Sequence, residues 1–140
     1  MLLGNKIKTG LMGLWLVLAG CSVGSPDVEI AQKTADAFYQ AQQQQEMEKS
    51  LSFYSDSRAK EEWQTHLEHI KQSLGAVQSY TLKNVEVNTV LSGRFYMFDY
   101  QVNYSSGKGA AETLTLFDSV EPDDVPRIAS HTISAEGFSR

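Results

Sequence analysis

The amino-acid sequence predicts an α+β domain in which helices come first and an antiparallel β-meander follows. Two observations carry the prediction. Apolar residues recur at helical spacing up to about residue 74, and from residue 80 onward they alternate with a period of two. The alternating runs are joined by short segments rich in Ser, Gly and Asp, which suit hairpins between neighbouring strands. Helical and strand segments kept apart in this way imply a sheet that wraps the helices on one face.

The first helix opens at Ser25-Pro26-Asp27, with Ser25 as N-cap, Pro26 at the first helical position, and Asp27 and Glu29 near the positive end of the dipole. Ala31, Ala35, Phe38 and Gln42 fall near one stripe, which Ile30 and Tyr39 widen. Gln42 to Gln45 reads as its solvated end. A short second helix is expected over residues 46–53, carrying Met47 and Leu51. Ser55-Asp56-Ser57 then offers a cap for a third helix. That helix runs to about Leu74, with Ala59, Trp63, Leu67, Ile70 and Leu74 on one face and Gly75 as the stop. Strands are expected over residues 80–90, 94–104, 110–119 and 127–134. Leu91-Ser92-Gly93, a loop over residues 105–109, and the acidic turn Glu121-Pro122-Asp123-Asp124 separate them.

Ahead of this domain, residues 1–20 read as a bacterial lipoprotein export signal. Lys6 and Lys8 form the charged start, and Leu11 to Leu18 is an apolar run too short for a permanent membrane helix. Leu18-Ala19-Gly20-Cys21 resembles a lipobox, so Cys21 is expected to carry the lipid as first residue of the mature protein. Acyl chains bind membranes at about 0.8 kcal/mol per buried CH2, enough for two or three of them to anchor stably. Residues 21–26 are then a lipidated tether, and residues 27–140 the domain. Ser22 stands where Asp would resemble an inner-membrane retention signal. The expected location is the cell envelope, at the outer membrane facing the periplasm if the source is Gram-negative.

Without its first twenty residues, the 140-residue chain keeps 120, one domain's worth. Losing Lys6 and Lys8 leaves ten basic against seventeen acidic side chains, about −7. Nucleic acid is not an expected partner, because phosphate binding needs a basic footprint. Cys21 is the chain's one cysteine, so no disulfide supports the fold.

The order helix, short helix, helix, antiparallel meander is similar to the nuclear transport factor 2-like superfamily, which includes ketosteroid isomerase and the polyketide cyclases. The stretches that carry the resemblance are Leu74-Gly75-Ala76-Val77, Glu112-Thr113-Leu114-Thr115-Leu116 and Arg127-Ile128-Ala129-Ser130-His131. It covers roughly residues 27–138 and looks closest to small lipoproteins of that superfamily. Related chains often carry Trp before the Arg-Ile pair, where this one has Pro126. The resemblance implies a cone-shaped, cystatin-like domain with a curved sheet.

Candidate chemistry is sparse. His66 and His69 have a spacing that can bind metal, but at about 100° per residue His66 borders the apolar face and His69 lies about 60° further out. With no third ligand nearby in sequence, no metal and no cofactor is expected. An isomerase-like mechanism needs a carboxylate base in an apolar cavity. Alternation places Tyr96, Phe98, Tyr100, Val102 and Tyr104 on one strand face and Asp99 on the other, so Asp99 points away from an aromatic-lined cavity. Glu112 shares parity with Leu114 and Leu116. The direction of His131 stays open, because Ile128 and Ile133 have opposite parity. Glu112 and His131 are the only acid–base pair the sequence offers.

The expected function is therefore non-enzymatic: a lipid-anchored envelope protein that binds a small apolar ligand or a protein partner. The pocket would have Tyr96, Phe98 and Tyr100 as wall, Trp63 as floor and Glu112 near its mouth. Alternatives are a small isomerase, hydratase or cyclase using Glu112 and His131, or a structural subunit of an envelope complex. The outward sheet face, with Phe95, Met97 and Phe117, suits a homodimer contact.

Overall fold

A computed structural model describes residues 26–139. The export segment, Cys21 and the Ser25 cap lie outside the described residues. Three helices, α1 (Pro26–Gln43), α2 (Met47–Leu51) and α3 (Lys60–Leu74), precede the strands β1 (Val77–Val90), β2 (Gly93–Tyr104), β3 (Gly109–Ser119) and β4 (Arg127–Ala135). A two-residue β5 (Phe138–Ser139), too short for any sequence pattern to signal, pairs with the end of β4. The sheet runs in the order β1-β2-β3-β4-β5 with antiparallel pairing throughout. The helices pack against one face, as the change of period requires.

The helical stripes bury Ala31, Ala35, Phe38 and Tyr39 of α1 and Trp63, Leu67, Ile70 and Leu74 of α3. Ile30, expected to widen the first stripe, is 53% exposed instead, because it lies about 100° round the helix from the buried Ala31. From the sheet come Tyr96, Phe98, Tyr100, Val102 and Tyr104 of β2, with Ala110, Leu114 and Leu116 of β3. Burying each large apolar side chain contributes about 1.5–3 kcal/mol, so this two-layer core is the main support of a domain without disulfides.

Gly75 ends α3 at φ 91°, and a Cβ there would lie 2.1 Å from the Ser105 hydroxyl. That contact lets the β2–β3 hairpin close the helix end. The Ala76 N–H donates to Ser105 Oγ at 2.9 Å, and the Ser106 N–H to the Leu74 carbonyl at 3.2 Å.

The expected cap at Ser55–Ser57 is corrected. The helix starts at Lys60, with exposed Ala59 as N-cap and no side-chain cap bond. Backbone pairing takes the serines elsewhere: the Ser55 N–H donates to the Ile128 carbonyl, and the Ile128 N–H to the Phe53 carbonyl, both at 2.8 Å. This bridge between Tyr54 and Ile128 draws the α2–α3 linker along β4. Pro126 precedes the first residue of β4, where its missing N–H costs the ladder nothing.

One irregularity positions the candidate site. Between β3 and β4, Thr115 pairs with Ser130 but Leu116 pairs with Ile128, leaving Ala129 as an extra residue. This bulge reverses the parity of β4 at that point. Ile128, His131 and Ile133 therefore all face the helices and are buried.

Candidate functional site

Glu112 sits in the middle of β3, between the hydrophobic positions Ala110 and Leu114, and is 2% exposed. An isolated carboxylate in such a place would be very costly. Here three donors meet it. The Tyr39 hydroxyl of α1 donates to Oε1 at 3.2 Å, and His131 Nε2 of β4 lies 2.7 Å from the same oxygen. The Tyr104 hydroxyl, from the end of β2, makes a short hydrogen bond to Oε2. Both carboxylate oxygens are thus engaged from three elements.

The hydrogen-bond network assigns the His131 tautomer. With Nε2–H donating to Glu112, Nδ1 presents a lone pair, which accepts from the Tyr54 hydroxyl at 2.9 Å. His66 of α3 brings its Nε2 to 3.2 Å from the same Nδ1, with the two imidazoles nearly perpendicular at 84°. Tyr54 is itself stacked on Trp63, ring centroids 4.2 Å apart.

The tyrosines are fixed as donors. Burial holds the Tyr39 hydroxyl well above the usual phenol range, and the negative field of Glu112 adds to the effect. Tyr54 is raised by the same two causes in the same order. Burial also raises Tyr104, followed by the charge of Glu112 and the hydrogen bond to it.

On its open side this cluster reaches a polar surface depression of about 540 Å3. Its lining includes Arg58, Glu61, Glu62 and His66 from the linker and α3, and His131 from β4. His131 is thus both the ring held by Glu112 and the innermost wall of the depression. Glu112 itself lies behind His131, inside the core and not at a pocket mouth.

The other sequence-derived positions fall elsewhere. Tyr96 and Phe98 are 0% exposed, and Tyr100 and Trp63 2%. The four rings expected as wall and floor lie in the core and line no common hollow; Tyr96 and Trp63 border separate surface depressions of about 360 and 290 Å3. The Tyr100 hydroxyl donates to Asp36 at 2.7 Å. Asp99 lies on the far face of the sheet, accepting from Thr113 at 2.6 Å and Asn84 at 3.3 Å. His69 stacks on Phe138 at 5.1 Å, away from the cluster. Tyr39, Tyr54 and His66 join the site through contacts that span 65–77 residues of sequence. The signal for the tyrosines was the demand that a buried Glu makes for donors and that buried phenols make for acceptors.

No protein-family model matches the chain, and no curated protein matches its sequence. Among solved structures, Bd1075 of Bdellovibrio bacteriovorus is similar, with a TM-score of 0.55 and 12% identity over 77% of this chain. The likeness is one of fold. The match covers 41% of that protein, so the chain spans less than half its length.

Proposed function

We propose that this chain is a lipid-anchored envelope protein, acylated at Cys21, whose nuclear transport factor 2-like domain is a non-enzymatic module for a protein partner. The observation that carries this reading is the contrast between the two faces of the sheet. Inside, the aromatic residues are packed without room for an apolar ligand, and both oxygens of Glu112 are taken by side chains. Outside, no helix among the described residues covers Phe95, Met97 and Phe117, which are half-buried. The Phe95 and Phe117 rings lie 4.7 Å apart beside a depression of about 390 Å3 that Val125 also lines, itself 54% exposed. Asp56, Asp124 and Arg127 rim it. An apolar anchor ringed by charge is the usual anatomy of a protein contact. A tether from residue 21 to 26 extends at most about 18 Å, so the partner is one that lies at the same membrane.

The test is site-specific photo-crosslinking in cells, with the reactive residue placed at 95 or 117 and, as control, at 79 on β1. One discrete adduct from 95 and 117, absent from 79 and lost with Cys21→Ser, supports the reading. An adduct of twice the chain mass identifies the partner as a second copy. Absence of any site-specific adduct overturns it.

A second reading has one observation in its favour. His131 faces the polar depression while Glu112 holds its far nitrogen, the arrangement of an oriented general base. A small isomerase, hydratase or cyclase would then act through His131, with Glu112 as positioning residue.

A further inference from the structure

The geometry points to a divalent transition-metal site at the inner wall of the polar depression, held by His66 Nε2 and His131 Nδ1. This inference is independent of the partner-binding reading. Sequence spacing suggested His66 with His69, but the fold pairs His66 with a histidine 65 residues away. Two nitrogens each about 2.0–2.1 Å from a tetrahedral ion stand about 3.3–3.4 Å apart. The observed separation is 3.2 Å.

The remaining surroundings fit as well. A metal-binding histidine characteristically donates its other ring N–H to a carboxylate, which orients the ring and strengthens the donor atom. His131 does this through Glu112 at 2.7 Å, and Tyr39 and Tyr104 hold that carboxylate in turn. Without an ion, the single in-plane lone pair of His131 Nδ1 is contested by the Tyr54 hydroxyl and His66. An ion between the two imidazoles would leave Tyr54 to bond a metal-bound water. Among the described residues, no three His, Cys, Asp or Glu side chains gather closely enough to hold an ion. The protein therefore supplies two nitrogens and water supplies the rest from the depression, where exposed Glu61 and Glu62 favour a cation's approach. Imidazole donors select Zn2+, Cu2+ or Ni2+ over Mg2+ or Ca2+.

The experiment is calorimetric titration of Zn2+ into the tag-free full chain in detergent, carrying Cys21→Ser so that no thiol competes. The expected result is one ion per chain, with Mg2+ giving no heat at the same concentration. His66→Ala and His66→Gln, at a half-buried position that spares the core, each weaken binding at least tenfold, while His69→Ala leaves it unchanged. Circular dichroism of each variant confirms the fold. Failure to bind one equivalent overturns the proposal. So does parent affinity in both folded His66 variants, or an equal loss with His69→Ala.

Discussion

Replacing Glu112 by Leu tests whether the buried carboxylate is the hub that joins the helices to the sheet. Leu is close in volume and suits the apolar neighbours Ala110 and Leu114, so packing changes little. What disappears is the common acceptor for Tyr39, Tyr104 and His131. Each buried donor left without a partner costs about 1–3 kcal/mol, giving about 3–9 kcal/mol for the three. A domain of this size has about 5–15 kcal/mol in total, so the variant should be close to unfolding. Glu112→Gln keeps one carbonyl oxygen, which can still serve Tyr39 and His131, but turns an NH2 toward Tyr104, whose hydroxyl must then accept from it. It also loses the extra strength of a charged acceptor. At about 1 kcal/mol per bond, its cost is about 3 kcal/mol. Urea unfolding followed by circular dichroism measures both. The expected order is wild type, then Gln, then Leu. If Leu costs under 1 kcal/mol, or if the two variants coincide, the three donors do not depend on the carboxylate and the hub reasoning is refuted.

Alkaline stability follows from the raised tyrosines. Tyr39, Tyr54, Tyr100 and Tyr104 stay protonated when folded but ionise near pH 10 when unfolded, so the native state binds more protons above that pH. Stability should be intact below about pH 10 and fall by about 5 kcal/mol per unit above it, at about 1.4 kcal/mol for each of the four. Absorbance at 295 nm should show these phenols ionising together with loss of the circular dichroism signal; gradual titration of all six tyrosines in a native spectrum would contradict this. Phe98→Ala should cost about 3–5 kcal/mol, as for any large ring in a filled core, and the wild type should not bind an apolar fluorescent probe. A loss under 1 kcal/mol would mean that the ring adjoins empty space. Ala59→Ser should stabilise α3 by about 0.5–2 kcal/mol, because Ala59 has the extended backbone of an N-cap but no capping side chain. An unchanged urea midpoint would show that the exposed end is already satisfied by water.

Much of the fold was legible because its strongest patterns are local. The stripe Trp63, Leu67, Ile70, Leu74 and the alternation along β2 each need only one element to be read. Glu112 could be turned inward by parity with Leu114 and Leu116 alone. His131 could not, since its direction depends on the bulge at Ala129, and nothing in Arg127-Ile128-Ala129-Ser130 marks the extra residue. The serines at 55 and 57 looked like a cap because their competitor, the backbone of Ile128, lies over seventy residues further on. His66 was read against its helical neighbour His69 for the same reason. The site is assembled by long-range contacts from α1, the α2–α3 linker, α3 and three strands, and periodicity carries no information about which of these meet.

The bridge between Tyr54 and Ile128 also sets a timetable. Both backbone groups of Ile128 are spent on the linker between α2 and α3, so the helical layer lacks its last main-chain partner until that residue exists. At a synthesis rate of about 5–20 residues per second, the 74 positions separating Tyr54 from Ile128 take about 4–15 s to make. Through that interval the stripes of α1 and α3 have no completed sheet to cover them. A chain that stops before residue 128 is therefore unable to complete its fold.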